Sequence, residues 1–162
     1  MDKVYVVLII VTLFIIGCTP STPGQPEAGG SIKTFKIAEG NVCTEDGKPV
    51  IRLFSTTWCP HCTWIKETFD STVQDYVGQG KIVAYHWEMD TGDNTLTSQV
   101  EKAVPDTEQA IASQFNPEGF VPEYVFGCKY FRIGNGYESH QDLAAEEAEF
   151  RAVIEALIQE SQ

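Results

Sequence analysis

From Val50 onward the chain alternates short apolar runs with amphipathic stretches. Val50-Ile51-Arg52-Leu53-Phe54-Ser55 reads as a buried strand. Beyond it Cys62, Ile65, Phe69, Val73 and Tyr76 recur at steps of three and four, which predicts one apolar helix face, with Gly78 and Gly80 as the stop. Ile82 to Met89 reads as a second buried strand, so the unit is strand, helix, strand with a right-handed crossover. The stretch from Asp90 to Pro105 is polar, turns at Thr91-Gly92-Asp93-Asn94, and carries no clear period. Thr107 is placed to cap a short helix to Phe115, with Ala110, Ile111 and Phe115 inward. After the break at Asn116-Pro117-Glu118-Gly119, two strands follow, Tyr124 to Cys128 and Tyr130 to Ile133, with a turn at Gly134-Asn135-Gly136. A last helix from Asp142 to about Gln159 carries Leu143, Glu147, Phe150, Ile154 and Leu157 on one stripe. Before Val50 there is only a short strand-like alternation through Ile32, Thr34-Phe35 and Ile37, then a loop holding Cys43 and the turn Glu45-Asp46-Gly47-Lys48. The order of elements is that of an α/β domain.

The N-terminus follows a different pattern. Val4 to Ile16 is an apolar run of signal-peptide length behind Lys3, short for a membrane span, and it ends in Ile15-Ile16-Gly17-Cys18. That ending resembles a lipoprotein signal-peptidase box, which implies lipidation of Cys18; an uncleaved anchor is the alternative. Thr19 to Gly30 is rich in proline and glycine and cannot bury a core. The expected organisation is a signal or anchor segment over 1–18, a flexible tether over 19–31 and one folded domain over 32–162. Either form of the anchor implies a membrane-tethered domain facing the extracytoplasmic side.

Composition narrows the partners. With 43% hydrophobic and 11% aromatic residues the chain has material for a core, and a net charge of −12 argues against nucleic acid or an anionic lipid surface as the main partner. An acidic solvated surface explains that charge as it stands. The five cysteines are Cys18, Cys43, Cys59, Cys62 and Cys128.

Candidate chemistry sits where the first strand meets the first helix, in Thr56-Thr57-Trp58-Cys59-Pro60-His61-Cys62. Two cysteines with two residues between them at a helix start place the first sulfur at the partly positive helix end, which favours thiolate, and the second one turn later. Cys59 is the expected attacker and Cys62 the resolver. Pro60 suits the first helical position, and His61 brings a positive charge or a hydrogen bond beside the sulfur, stabilising the reduced pair and making it an oxidant. Half a zinc site has the same spacing, but a metal would need further ligands, and none is expected. No cofactor is called for. His86, among aromatic neighbours on the second strand, reads as a core histidine with its polar atoms satisfied, and His140 as a surface one.

These residues resemble the thioredoxin superfamily over about Val50 to Leu157, and Trp58-Cys59-Pro60-His61-Cys62 is most similar to the DsbA-type disulfide oxidants. Val121-Pro122 matches that family's cis-proline loop. The resemblance implies a thioredoxin fold, a central mixed β-sheet flanked by helices, with Val121, Pro122 and Trp58 beside the dithiol to receive a client backbone. It also implies that the strand after Pro122 runs antiparallel to the central strand, which brings Cys128 near Cys43 and makes a structural disulfide Cys43-Cys128 reasonable; two free thiols or a relaying redox pair are the alternatives. Two features depart from the family. Leu53 stands six residues before Cys59, where many members carry a buried acid, so proton handling must use water, Glu88 or another group, or be slower. The chain between Met89 and Pro122 is also too short for a full inserted helical domain.

The function expected is an extracytoplasmic thiol-disulfide oxidoreductase that oxidises client protein thiols through Cys59-Cys62, served by a membrane redox partner whose identity the sequence leaves open. A reductase of the same compartment, or a non-enzymatic tethered module that binds metal or a partner, are the competing readings.

Overall fold

The computed structural model describes residues 31–162. The expected signal or anchor segment with Cys18, and residues 19–30 of the expected tether, lie outside the described residues. Among the described residues no helix is long and apolar enough to cross a membrane.

The strands are β1 (Lys36–Ile37), β2 (Thr44–Glu45), β3 (Lys48–Ser55), β4 (Val83–Glu88), β5 (Asp93–Asn94), β6 (Glu123–Phe126) and β7 (Tyr130–Ile133); the helices are α1 (Pro60–Gly78), α2 (Asp106–Phe115) and α3 (Leu143–Glu160), with a single 3-10 turn at Glu138–His140. The sheet order is β1-β7-β6-β3-β4-β5, with β2 hairpinned onto β3. β3 is central, parallel to β4 and antiparallel to β6. This is an α/β architecture with a mixed sheet flanked by helices.

β3 is buried from Pro49 to Ser55 because both faces of the sheet are covered, which is why its sequence is a run of apolar residues rather than an alternation. Ile51 and Leu53 join Ile65, Phe69 and Val73 of α1 and Phe150, Ile154 and Leu157 of α3 in the larger core. Phe54 and Val125 point to the other face, against Trp87, Val104 and Ala112. Each fully buried Phe or Leu contributes about 1.5–3 kcal/mol by leaving water.

Cys43 and Cys128 are joined by a disulfide with a Cα–Cα distance of 5.3 Å. They meet at the start of β3, where Cys43 N–H donates to Gly127 O and Gly127 N–H to Val50 O. Cys59 follows the other end of β3, and eight strand residues span roughly 26 Å, so the disulfide does not touch the dithiol. Gly127 is needed at this corner: its φ is +60°, and a Cβ there would lie 2.5 Å from Leu157 Cδ2.

Three expectations are corrected, and a stretch without a clear period gains a strand. In α3 the inward acids are Glu146 and Glu149, both buried, whereas Leu143 is exposed and Glu147 bonds to Arg151 on the surface. Arg132 of β7 turns the stripe, because it ion-pairs with Glu146 and Glu149 from the core side. In α2 Thr107 is not the cap: the helix starts at Asp106 after Pro105, and Ala110 is exposed while Glu108 and Ala112 face in. Glu108 is drawn inward by a two-pronged bond from Arg52, at 2.7 and 2.9 Å, and by Trp87 Nε1–H at 3.2 Å. The polar stretch after Asp90 contains β5, whose Asn94 is buried and accepts the backbone N–H groups of His86 and Leu96. Near the N-terminus only Lys36–Ile37 forms a strand, with Ile37 exposed and Phe35 carrying the core contact instead.

Asp142 caps α3, its Oδ1 accepting Ala145 N–H at 2.9 Å. Asp142→Ala should therefore lower stability by about 1 kcal/mol in urea denaturation without altering the sulfur chemistry.

Candidate redox site

Strand β3 ends at Ser55, and the chain turns through Thr56-Thr57-Trp58 into α1 at Pro60. Asp90, just after β4, holds that turn by accepting Thr57 N–H at 3.0 Å and Thr57 Oγ1–H at 2.5 Å. The Thr57 hydroxyl bond, with the backbone N–H groups, keeps the Asp90 carboxyl below its ordinary range. Cys59 is the N-cap of α1, with its Sγ accepting Cys62 N–H at 3.2 Å, and Pro60 occupies the first turn, where no amide hydrogen is missed. A sulfur at this position faces the end of the helix where negative charge is best accommodated.

Cys59 and Cys62 are both free thiols and both buried. Cys59 Sγ lies 3.7 Å from the carbonyl of Val121, to which its S–H donates. The Val121-Pro122 peptide is cis. Burial, then a hydrogen bond with Cys59, pushes the Cys62 thiol up to about 12. The two sulfurs are therefore unequal: Cys59 meets the helix end and the Val121 loop, while Cys62 is an inner thiol that holds its proton.

His61 is engaged by Glu138. Its Nδ1 lies 2.8 Å from Glu138 Oε1, and its ring is largely exposed. Asn135 ties this corner together, donating to His61 O at 2.9 Å and to Glu138 Oε2 at 2.7 Å while accepting Tyr124 O–H at 2.5 Å. His61, Val121, Pro122, Asn135 and Glu138 line a groove of about 530 Å³. Trp58, 73% exposed, flanks the dithiol as an uncovered aromatic surface. Trp64, by contrast, packs against the larger core. Cys18 lies outside the described residues, and Cys43-Cys128 belongs to the far end of β3.

Beneath Cys62 is a cavity of about 100 Å³ lined by Ser55, Thr56, Lys66, His86 and Glu88. Its polar groups are organised. Lys66 Nζ pairs with Glu88 Oε1 at 2.8 Å, and His86 is held by Asp70 Oδ1 at its Nδ1, 2.6 Å away, and by Ser55 Oγ at its Nε2, 2.8 Å away. Both ring nitrogens of His86 are thus engaged, one by a carboxylate and one by a hydroxyl. His86 is opposite Leu53 in the parallel ladder, so this polar set lies beside the position where the sequence lacks an acid. Among the described residues no group of three or more His, Cys, Asp or Glu side chains is arranged to hold a metal ion.

Sequence reasoning did not single out Asp70, Asp90, Asn135, Glu138 or Glu123. Their bonds cross from one element to another, and no local period marks them. Glu123 was detectable in principle, as a charged residue directly after Pro122 at the head of a buried strand. It is 3% exposed, and burial pushes its carboxyl up to about 8, with an Asn116 bond pulling weakly the other way. The folded chain then keeps Glu123 protonated while an unfolded chain ionises near 4.5, so stability is lost as pH rises from about 4.5 to about 8 and is level above. Glu123→Gln should remove that loss. The variant should gain about 2–3 kcal/mol on the wild type between pH 5 and pH 8 in urea denaturation.

No family model, curated protein or solved structure matches the chain.

Proposed function

We propose that the chain is a thiol-disulfide oxidoreductase of the thioredoxin type, tethered to a membrane on the extracytoplasmic side, which passes disulfides to client proteins through Cys59 and Cys62. The observation that carries this reading is the inequality of the two sulfurs: Cys59 caps α1 beside the Val121 carbonyl, and Cys62 lies one turn inward with its thiol pushed up to about 12. The strand-helix-strand unit, the antiparallel β6 and the position of Pro122 agree with a thioredoxin fold. The disulfide at Cys43-Cys128 suits an oxidising compartment.

In the oxidised form a client thiolate attacks Cys59 Sγ, the Cys59-Cys62 bond breaks, and Cys62 leaves as a thiolate. A second client thiolate then attacks the client sulfur of the mixed disulfide and releases Cys59. The client has lost two electrons and the dithiol has gained them. A thiol of high pKa leaves slowly unless it is protonated on departure, so the polar cavity under Cys62 serves as the proton route, with Lys66, Glu88 and His86 at its walls. The groove by Pro122 receives the client backbone, and a separate membrane partner reoxidises the pair.

One observation favours the reverse direction. Glu138 engages His61, so part of the positive charge that would stabilise a reduced, oxidising pair is offset. A reductase of the same compartment is the second reading. The reduction potential of Cys59-Cys62 in the full chain, equilibrated with glutathione buffers and read by mass so that Cys43-Cys128 is followed separately, decides between them. A value nearer about −120 mV is expected for a disulfide donor, whereas one near about −270 mV would assign the chain to reduction. A pair that never cycles would refute both.

A further inference from the structure

Val121 has two sides. One lines the groove that also holds His61 and Pro122; the other closes a pocket of about 230 Å³ whose walls include Phe54, Met89, Ala112, Phe120 and Glu123. Phe54, Met89, Ala112 and Phe120 make the apolar part of the wall, and Thr56, Gln109, Ser113 and Asn116 join Glu123 on the polar part. Glu123 Oε2 lies 3.4 Å from Asn116 Nδ2, and its buried Oε1 has no hydrogen-bond partner. A buried acceptor with nothing to accept is costly, and such groups are rare in folded chains. The flanking elements supply no cation: α2 contributes Gln109, Ser113 and Asn116 to this pocket, β3 contributes Phe54, and Met89 follows β4. Arg52, the cation of β3, is committed to Glu108.

We propose that this pocket takes a lysine side chain of the client, close to the reacting cysteine, with its methylenes against Phe54, Met89 and Phe120 and its ammonium on Glu123. This rests on the exchange reading given above. Size supports a single side chain, since about 230 Å³ is below the roughly 300–1,000 Å³ of small-molecule sites. The unmet Oε1 calls for a donor that can pair with the carboxylate once its proton is lost, and the free valence selects lysine over arginine. Only one carboxylate oxygen is unmet, which suits a point-like ammonium, whereas a guanidinium is best met by two. Position supports adjacency to the sulfur: the carbonyl of Val121 is 3.7 Å from Cys59 Sγ, so a chain laid across Val121-Pro122 passes both the sulfur and the pocket mouth. When the ammonium enters, Glu123 releases its proton to solvent and the pair is left neutral overall.

The test uses the full chain, oxidised at Cys59-Cys62, and short cysteine peptides in which lysine or uncharged norleucine is placed at each position flanking the cysteine in turn. Stopped-flow rates of peptide oxidation should show one position where lysine exceeds norleucine by about tenfold. In Glu123→Gln that ratio should fall toward unity. A second readout on the wild type does not depend on the variant: carbon NMR of Glu123 in the mixed disulfide, where the lysine peptide, and not the norleucine peptide, should leave the carboxyl ionised at pH 7. Equal rates for both peptides at every position, or a lysine preference that survives Glu123→Gln, would overturn the pocket assignment and leave the exchange reading standing. If no peptide reacts at all, both fall together.

Discussion

Serine in place of Cys59 is expected to lower the rate of disulfide exchange by at least about a thousandfold, because the first bond-forming step loses its sulfur and a hydroxyl cannot take over. Serine in place of Cys62 should behave differently. Cys59 would still attack a disulfide-bonded peptide, breaking its S–S bond and releasing one half as a thiol, but no inner thiol would remain to expel the other half, so a covalent mixed disulfide should accumulate and be visible by non-reducing mass measurement. The geometry underlies this asymmetry: Cys59 sits at the helix cap and donates to Val121 O at 3.7 Å, while Cys62 is further in and holds its proton up to about 12. If the adduct appeared with Cys59→Ser instead, the two roles would have to be exchanged. Either single substitution should leave the denaturation midpoint near that of the reduced wild type, since Cys43-Cys128 is the disulfide that ties the fold.

Arg132→Met should cost about 3–5 kcal/mol in stability, the largest folding effect expected from a single side chain here. Arg132 is 5% exposed and lies between three rings, with its guanidinium carbon 4.7 Å from the centre of Phe35, 4.6 Å from Tyr124 and 5.4 Å from Phe150. It donates to Glu146 at 2.6 Å and to Thr34 Oγ1 at 2.6 Å, and it pairs with Glu149 at 3.5 Å. Removing it leaves two buried carboxylates without their cation. Glu149 also holds the N-terminal segment by accepting the backbone N–H groups of Lys33 and Thr34, and Glu146 holds the loop after β7 by accepting Tyr137 N–H at 2.8 Å. The triple variant Arg132→Met, Glu146→Gln, Glu149→Gln should recover much of the loss, because no uncompensated charge remains buried. A loss below about 1 kcal/mol for Arg132→Met in urea denaturation would show that the cluster is solvated rather than held.

The same arginine reaches the redox site through packing. Tyr124, under its guanidinium, donates to Asn135, and Asn135 in turn holds His61 O and Glu138. Arg132 is therefore a positioning residue for the groove beside Pro122, and partial destabilisation there should be felt as looser client binding before the sulfurs are affected.

What the sequence determined by itself is local. The spacing Cys62, Ile65, Phe69, Val73, Tyr76 specifies α1, since side chains three and four apart share one helix face, and all five are buried. The unbroken apolar run of β3 marks a strand covered on both faces, and Cys-Pro-His-Cys at the strand-to-helix junction determines where the sulfurs stand relative to the helix end. The tertiary structure decided which polar groups go inside. From the stripe of α3 alone, Glu147 stands with the apolar positions; Glu146 and Glu149 take the buried places because Arg132, fourteen and seventeen residues earlier, meets them across the sheet. Glu108 displaced Ala110 on α2 for the same reason, through Arg52. His86 and Asp70 meet because β4 lies beside β3 over α1, and Glu123 is buried because α2 and the Phe120 loop cover the start of β6. A period in sequence reports only how much water each position avoids on average. Which charged residue can avoid it depends on a partner brought from elsewhere in the chain, because burial of a charge is tolerable only when the opposite charge or a full set of hydrogen bonds arrives with it.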